Sequence, residues 1–137
     1  MKRKACSLTV LLALLLALSC NAVAAQGGDY SIQWDKTTSC TTSLSFSGNT
    51  ANCSASIRAK QSTSRITATM ILYRLGTNGT PIEVTRWSNL TGTGRLNVSR
   101  TYSPAISGVT YRLVVNATVS DSAGSEPVSA NQQKVCP

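Results

Sequence analysis

Between Val109 and Val119 the chain reads VTYRLVVNATV, with Tyr111, Leu113, Val115, Ala117 and Val119 at every second position. A period of two belongs to an extended strand, because successive side chains of a strand point to opposite faces. One face then lies in a core and the other in water. A helix would need apolar residues three and four apart, and no stretch after residue 25 carries that stripe over a helix length. Short alternating runs recur instead, broken by Gly, Asn, Ser and Pro about every 8 to 15 residues, which is the pattern of an all-β sandwich or barrel.

Seven strands are expected, at 42–46, 51–59, 66–75, 82–87, 95–102, 109–119 and 127–135. In the second, Cys53, Ala55, Ile57 and Ala59 share one face, and Asn52, Ser54, Ser56 and Arg58 share the other. Gly48-Asn49 centres a hairpin turn between the first two. Residues 76–80, Gly-Thr-Asn-Gly-Thr before Pro81, form the densest turn cluster. Asp121-Ser122-Ala123-Gly124 turns the chain into the last strand. Seven short strands in about 95 residues fit an immunoglobulin-like or fibronectin-III-like sandwich of antiparallel strands. Tyr111 sits where such folds place a tyrosine corner, with a buried ring and a hydroxyl bonded to upstream backbone. Trp87 is expected as the large core filler, with Trp34 as its competitor.

The first 25 residues read differently. Met1-Lys2-Arg3-Lys4 is basic, residues 5–18 are uncharged and mostly apolar, and Asn21-Ala22-Val23-Ala24-Ala25-Gln26 supplies small residues at cleavage spacing. This is the tripartite pattern of a secretory signal peptide, cleaved after Ala25. The apolar run falls short of the about 20 residues that cross a bilayer, so no stable membrane span is expected after cleavage. Cys20 follows Ala17-Leu18-Ser19, a weak likeness to a lipoprotein box, and its lipidation stays open. The expected organisation is a signal peptide at 1–25, an N-terminal arm or extra edge strand at 26–41, and the sandwich at 42–137.

Composition then narrows the chemistry. The chain has no histidine, which removes His-based catalytic arrangements and metal sites. The carboxylates Asp29, Asp35, Glu83, Asp121 and Glu126 are scattered. A glycosidase pair, such as Asp35 with Glu83, would need a cleft that a small sandwich has little room to make. Asp121 and Glu126 flank a turn, and turn chemistry explains Asp121 better than calcium, which wants 6–8 oxygens. No catalytic residue, cofactor or metal is expected. After residue 25 the chain keeps ten Lys/Arg against five Asp/Glu, spread singly, with no nucleic-acid footprint. The basic side chains are expected to serve solubility and to blunt strand edges. Five Asn-x-Ser/Thr triplets, at Asn52, Asn78, Asn89, Asn97 and Asn116, follow from a Ser/Thr-rich composition.

Several segments together carry a likeness: Ala51-Asn52-Cys53-Ser54-Ala55, residues 66–72, Arg86-Trp87-Ser88, Ser99-Arg100-Thr101-Tyr102 and residues 108–113. The pattern resembles small secreted proteins of Gram-positive bacteria with a predicted immunoglobulin-like domain of unknown function. The likeness spans residues 43–130. It implies a fold and an extracellular or cell-surface location, and it transfers no activity.

Two sets of residues remain as candidates. Hairpin register sets Leu44 opposite Cys53, which carries Cys40 too far along for a bridge. Cys53 and Cys136 are then the disulfide candidates of an oxidising compartment, with Cys40–Cys136 and an unpaired Cys53 still open. If Ala68, Met70 and Leu72 face the core, Ile71 and Tyr73 face outward beside Arg112, Val114 and Asn116 of the sixth strand. Aromatic residues and Arg often anchor interfaces, so these five form a candidate partner surface. The expected partner is an unknown protein, a cell-wall component or a second copy of the chain. A covering N-terminal segment, residues 30–34, is the competing account. The functional expectation is a secreted, non-enzymatic binding module, with a small basic antimicrobial or inhibitory effector as the alternative.

Overall fold

A computed structural model describes residues 33–137. The expected signal peptide, Cys20 and most of the expected N-terminal arm lie outside the described residues. The strands are β1 (Thr37–Ser47), β2 (Thr50–Ala59), β3 (Arg65–Leu75), β4 (Pro81–Thr93), β5 (Arg95–Tyr102), β6 (Thr110–Asp121) and β7 (Gly124–Val135), and no helix occurs among the described residues. Every hydrogen-bonded pairing is antiparallel. The order is β1-β2-β5-β4-β3-β6-β7. One link in that order is a single pair, Thr93 with Arg95. There the ladder folds over, giving a three-stranded layer (β1, β2, β5) packed on a four-stranded layer (β4, β3, β6, β7).

Gly94 makes this corner. Its φ is +71°, a left-handed conformation that favours glycine. A Cβ there would lie 2.6 Å from the Ser62 carbonyl oxygen. The Gly94 N–H donates to the Ser64 carbonyl at 2.7 Å, and its carbonyl accepts the Ala59 N–H at 2.9 Å. The β2–β3 link is thereby tied to the bend. Gly92 is needed nearby, because a Cβ there would meet the Arg95 carbonyl oxygen at 2.4 Å.

The opposite side of the sandwich closes without a backbone ladder. Here β7 lies alongside β1, and side chains span the gap. Glu126 accepts the Asp35 N–H at 2.6 Å, the Lys36 N–H at 3.1 Å and the Thr37 hydroxyl at 2.8 Å. The Gln132 amide oxygen accepts the Leu44 N–H at 2.6 Å. Lys36 pairs with Asp121 at 2.8 Å. The polar ends of β7 residues thus satisfy an edge that would otherwise bare its donors.

The core follows the alternation. Cys53, Ala55, Ile57 and Ala59 of β2 are buried, as are Tyr111, Leu113, Val115, Ala117 and Val119 of β6 and Ala68, Met70 and Leu72 of β3. Tyr111, 1% exposed, is among the largest fully buried side chains. Trp34 and Trp87 only pack partly against the core, so neither fills it as expected. The tyrosine corner is present: the Tyr111 hydroxyl accepts the Ile106 N–H at 2.9 Å. Its ring meets Phe46 at a centroid distance of 5.7 Å.

Three strand boundaries differ from expectation by three residues or more. β1 starts at Thr37 rather than Thr42, where a Ser/Thr run hides the period and Thr37 and Cys40 point inward. β7 starts at Gly124 rather than Pro127, directly after a two-residue hairpin that pairs Asp121 with Gly124. β4 runs to Thr93 instead of ending at Trp87. Its register on β3 shifts twice, between Ala68 and Met70 and between Leu72 and Tyr73. The first shift accommodates Asn89 at φ 57°. Such bulges insert an extra residue and break the period of two, so this half of β4 reads as a loop.

Two outcomes are expected. Replacing Tyr111 with Phe keeps the ring but leaves the Ile106 N–H without its acceptor, so urea unfolding should show a loss of about 1–2 kcal/mol. The second concerns acid. Burial raises the Glu126 carboxyl, but bonds from Thr37, Asp35 and Lys36 outweigh it and hold the group below its ordinary range. Asp121 is lowered by Lys36 and the Ala123 N–H. A carboxylate depressed in the folded state contributes stability above its unfolded pKa and loses it as pH falls through the folded value. Amide exchange at Asp35 and Lys36, normalised for intrinsic rate, should therefore accelerate below about pH 4. Glu126→Gln should show fast exchange there already at neutral pH.

Candidate functional site

The β3–β6 register builds the expected outward face. Tyr73 pairs with Arg112, Ile71 with Val114 and Thr69 with Asn116. The same rows continue outward to Glu83 and Arg86 on β4 and to Gln133, Asn131 and Ser129 on β7. One row therefore reads Glu83–Tyr73–Arg112–Gln133, and the next reads Arg86–Ile71–Val114–Asn131. The Arg112 guanidinium donates to the Gln133 amide oxygen from Nε at 3.2 Å and from Nη2 at 2.9 Å. Arg86 Nε donates to Glu83 at 2.7 Å. The five candidate residues thus lie together on one face of two central strands.

Their exposure corrects part of the expectation. Ile71 is only 5% exposed. It sits mid-sheet, with Arg86 and Val114 across from it and Tyr73 two residues along. Long side chains on such a face cover a short one between them. Tyr73, Arg112 and Val114 are half-buried, and Asn116 is exposed. The face is a low ridge of aromatic and guanidinium groups over a buried isoleucine, not an open apolar patch. Of the segment thought to cover it, the described Trp34 packs against the core instead.

The cysteines also differ. Leu44 does lie opposite Cys53, and Cys40 lies opposite Ile57. Cys40, Cys53 and Cys136 are all free and buried, and no disulfide is seen among them. Cys136 Sγ lies 4.0 Å from the Gly48 carbonyl oxygen, at the β1–β2 turn, whereas Cys53 is further along β2. Burial pushes the Cys53 thiol up to about 11 and raises Cys40 as well, which keeps both protonated and unreactive.

The carboxylates are used locally. Asp121 Oδ1 accepts the Ala123 N–H at 2.8 Å, closing its own turn. Asp35 lies beside Glu126 at the start of β1. Glu83 lies in the Tyr73–Arg112 row, seven residues along β6 from the row of Glu126. At about 3.4 Å per residue, Asp35 and Glu83 stand roughly 24 Å apart along the strands, at opposite ends. Among the described residues, no group of three or more Cys, Asp or Glu is placed to hold a metal ion.

The other layer presents a different outer face. Thr41–Ser56–Asn97 and Ser43–Ser54–Ser99 form cross-strand rows of short polar side chains, lining an open groove. Ser56 Oγ donates to Asn97 at 2.8 Å. Strand parity alone signals these rows in the sequence.

Comparison with protein-family models finds no match, and none is found among curated proteins.

Truncating Ile71 to Ala should cost about 2 kcal/mol in chemical denaturation, as for a buried aliphatic group. Tyr73→Ser with Val114→Ser should cost clearly less, at most about 1 kcal/mol per site. A larger loss in the double variant would make Tyr73 and Val114 part of the fold's support.

Proposed function

We propose that this protein is a secreted, non-enzymatic β-sandwich module that binds a partner at the cell surface or in the surroundings. The observation that carries this reading is the Tyr73–Arg112 pair with Val114, set on the two central, hydrogen-bonded strands of the four-stranded layer. Aromatic and guanidinium groups fixed in this way lose little freedom on binding. The N-terminal pattern of a signal peptide supports secretion.

The immunoglobulin-like or fibronectin-III-like assignment belongs to the same proposal. The tyrosine corner on the sixth strand supports it. In constant-type immunoglobulin domains the fourth strand joins the layer of the first, second and fifth. Here β4 runs along β3, which favours the fibronectin-III-like member of the pair. The likeness to small Gram-positive proteins stands as the proposed origin.

A second reading, a basic effector acting on anionic envelopes, is favoured by one observation. Residues 33–137 carry ten Lys/Arg against four Asp/Glu.

Expression of a tagged full-length chain in a Gram-positive host tests both. The mature protein is expected to start at Gln26 and to be recovered from the medium or by washing the cell surface. Tyr73→Ser with Val114→Ser should lower surface recovery at least fivefold without changing the amount secreted. Retention inside the cell, or unchanged recovery, would overturn the leading reading. Growth arrest of bacteria exposed to the purified protein would replace it with the effector.

A further inference from the structure

Three arginines that stand far apart in the sequence share one row of the folded ladder. Arg65 pairs with Thr93, Thr93 pairs with Arg95 across the corner, and Arg95 pairs with Arg58. The row continues to Ser120 on one side and Ser39 on the other. All three arginines are exposed. Neighbouring strands are about 4.8 Å apart, so the three cations span roughly 15 Å around the convex side of the sandwich. Lys60, two residues beyond Arg58, adds a fourth cation, its ammonium donating to the Trp34 carbonyl.

The row is locked from behind by Gly94. Its backbone bonds go to Ala59 and Ser64, the neighbours of Arg58 and Arg65, and Arg95 follows it directly. Every arginine therefore stands one residue from Gly94 or from a residue bonded to it. A shallow depression beside the corner is lined by Arg65, Thr91, Gly92 and Thr93.

A structural role does not account for this arrangement. Arg58 and Arg95 face each other directly, and like charges so placed destabilise a sheet. Within this row Arg58 pairs with Ser39 and Arg95, and Arg95 pairs with Arg58 and Thr93, so neither arginine stands on an open edge. The ion pairs among the described residues are Lys36–Asp121 and Arg86–Glu83; no described carboxylate lies within ion-pair distance of the three. The rest of the row is hydroxyl: Ser39, Thr93 and Ser120. It contains no aromatic ring on which a base could stack.

We infer that the Arg58–Arg95–Arg65 row is a docking site for a linear, base-free polyanion bearing phosphate or sulfate groups. The guanidinium forks bind the anionic oxygens in pairs, the flanking hydroxyls donate to the same oxygens, and the convex corner lets a flexible chain wrap. The inference rests on the binding-module reading and names a ligand class on a surface remote from the Tyr73–Arg112 ridge.

Purified protein titrated with fluorescently labelled inorganic polyphosphate, read by anisotropy, tests it. Affinity should fall about 20-fold between 50 and 200 mM salt, with a slope of log affinity on log salt near −2, as three neutralised charges require. Arg58→Gln, Arg65→Gln and Arg95→Gln together should cost at least tenfold at 50 mM salt and flatten that slope. Their melting temperature should stay equal or rise, because like-charge repulsion is relieved. Arg74→Gln with Lys134→Gln, both in the Tyr111 row at the other end of the sandwich, should bind as the unaltered protein does. Dextran sulfate run alongside separates the sources: preference for it or for polyphosphate names the anion, and either supports the site. Equal losses in the control, an unflattened slope, a lowered melting temperature, or tighter binding of single-stranded RNA at equal phosphate count would overturn it. The assay needs no cells, so its failure leaves the secretion and surface-recovery result standing, and the reverse holds too.

Discussion

Two backbone hydrogen bonds at Gly94 hold the architecture at its most demanding point. A seven-stranded ladder has to bend back on itself for its apolar faces to meet, and it does so across the single pair Thr93–Arg95. A bend that tight leaves donors and acceptors facing away from the ladder, and buried backbone groups need partners. Gly94 gives its N–H to Ser64 and its carbonyl to Ala59. The link between β2 and β3 thus serves as the missing strand, and the two layers inherit a fixed relation from one residue without a side chain.

The opposite side solves the same problem by other means. Instead of a ladder, Glu126 and Gln132 extend side-chain oxygens to the donors of the β1 edge. A carboxylate accepting several N–H and O–H groups is held charged by them, so this closure is sensitive to proton concentration where the Gly94 corner is not. Between the two closures, the layers pack by alternation alone. That division leaves both outer faces free of fold-defining contacts, save for Ile71. One face carries the Tyr73–Arg112 ridge, the other the Ser/Thr/Asn rows, and the arginines bridge them.

The sequence disclosed what repeats with a period of two. β2 and β6 are legible because their inward positions are uniformly apolar and every link between strands except residues 60–64 carries or abuts Gly, Asn, Asp or Pro. Tyr111 was legible because its place relative to Gly108 and the sixth strand has a known structural use. The second half of β4 was not, because a bulge at Asn89 breaks the parity and Gly92 looks like a turn when it is a site of close approach. The burial of Ile71 was hidden because parity gives the face and not the length of the neighbours that cover it. The relation among the cysteines is not legible because strand counting places residues at an end of the sandwich without giving the distance between side chains. The arginine row was invisible because its members, 58, 65 and 95, meet only through three successive registers. In sequence they are single charges, and only pairing turns them into a line.

The closure at β1 and β7 also has a mechanical consequence. Glu126 reaches residues 35–37, Gln132 reaches Leu44, and Cys136 lies at Gly48, so the two strands run in the same direction side by side. The described unit therefore enters at one pole, through Trp34, and leaves at the other, through Pro137. Tension applied between those points would run along both strands and load the bonds of Glu126 and Gln132 in shear, all at once, rather than peeling them one after another. A domain wired in this way resists stretching through side-chain clasps as well as through the ladders of its core.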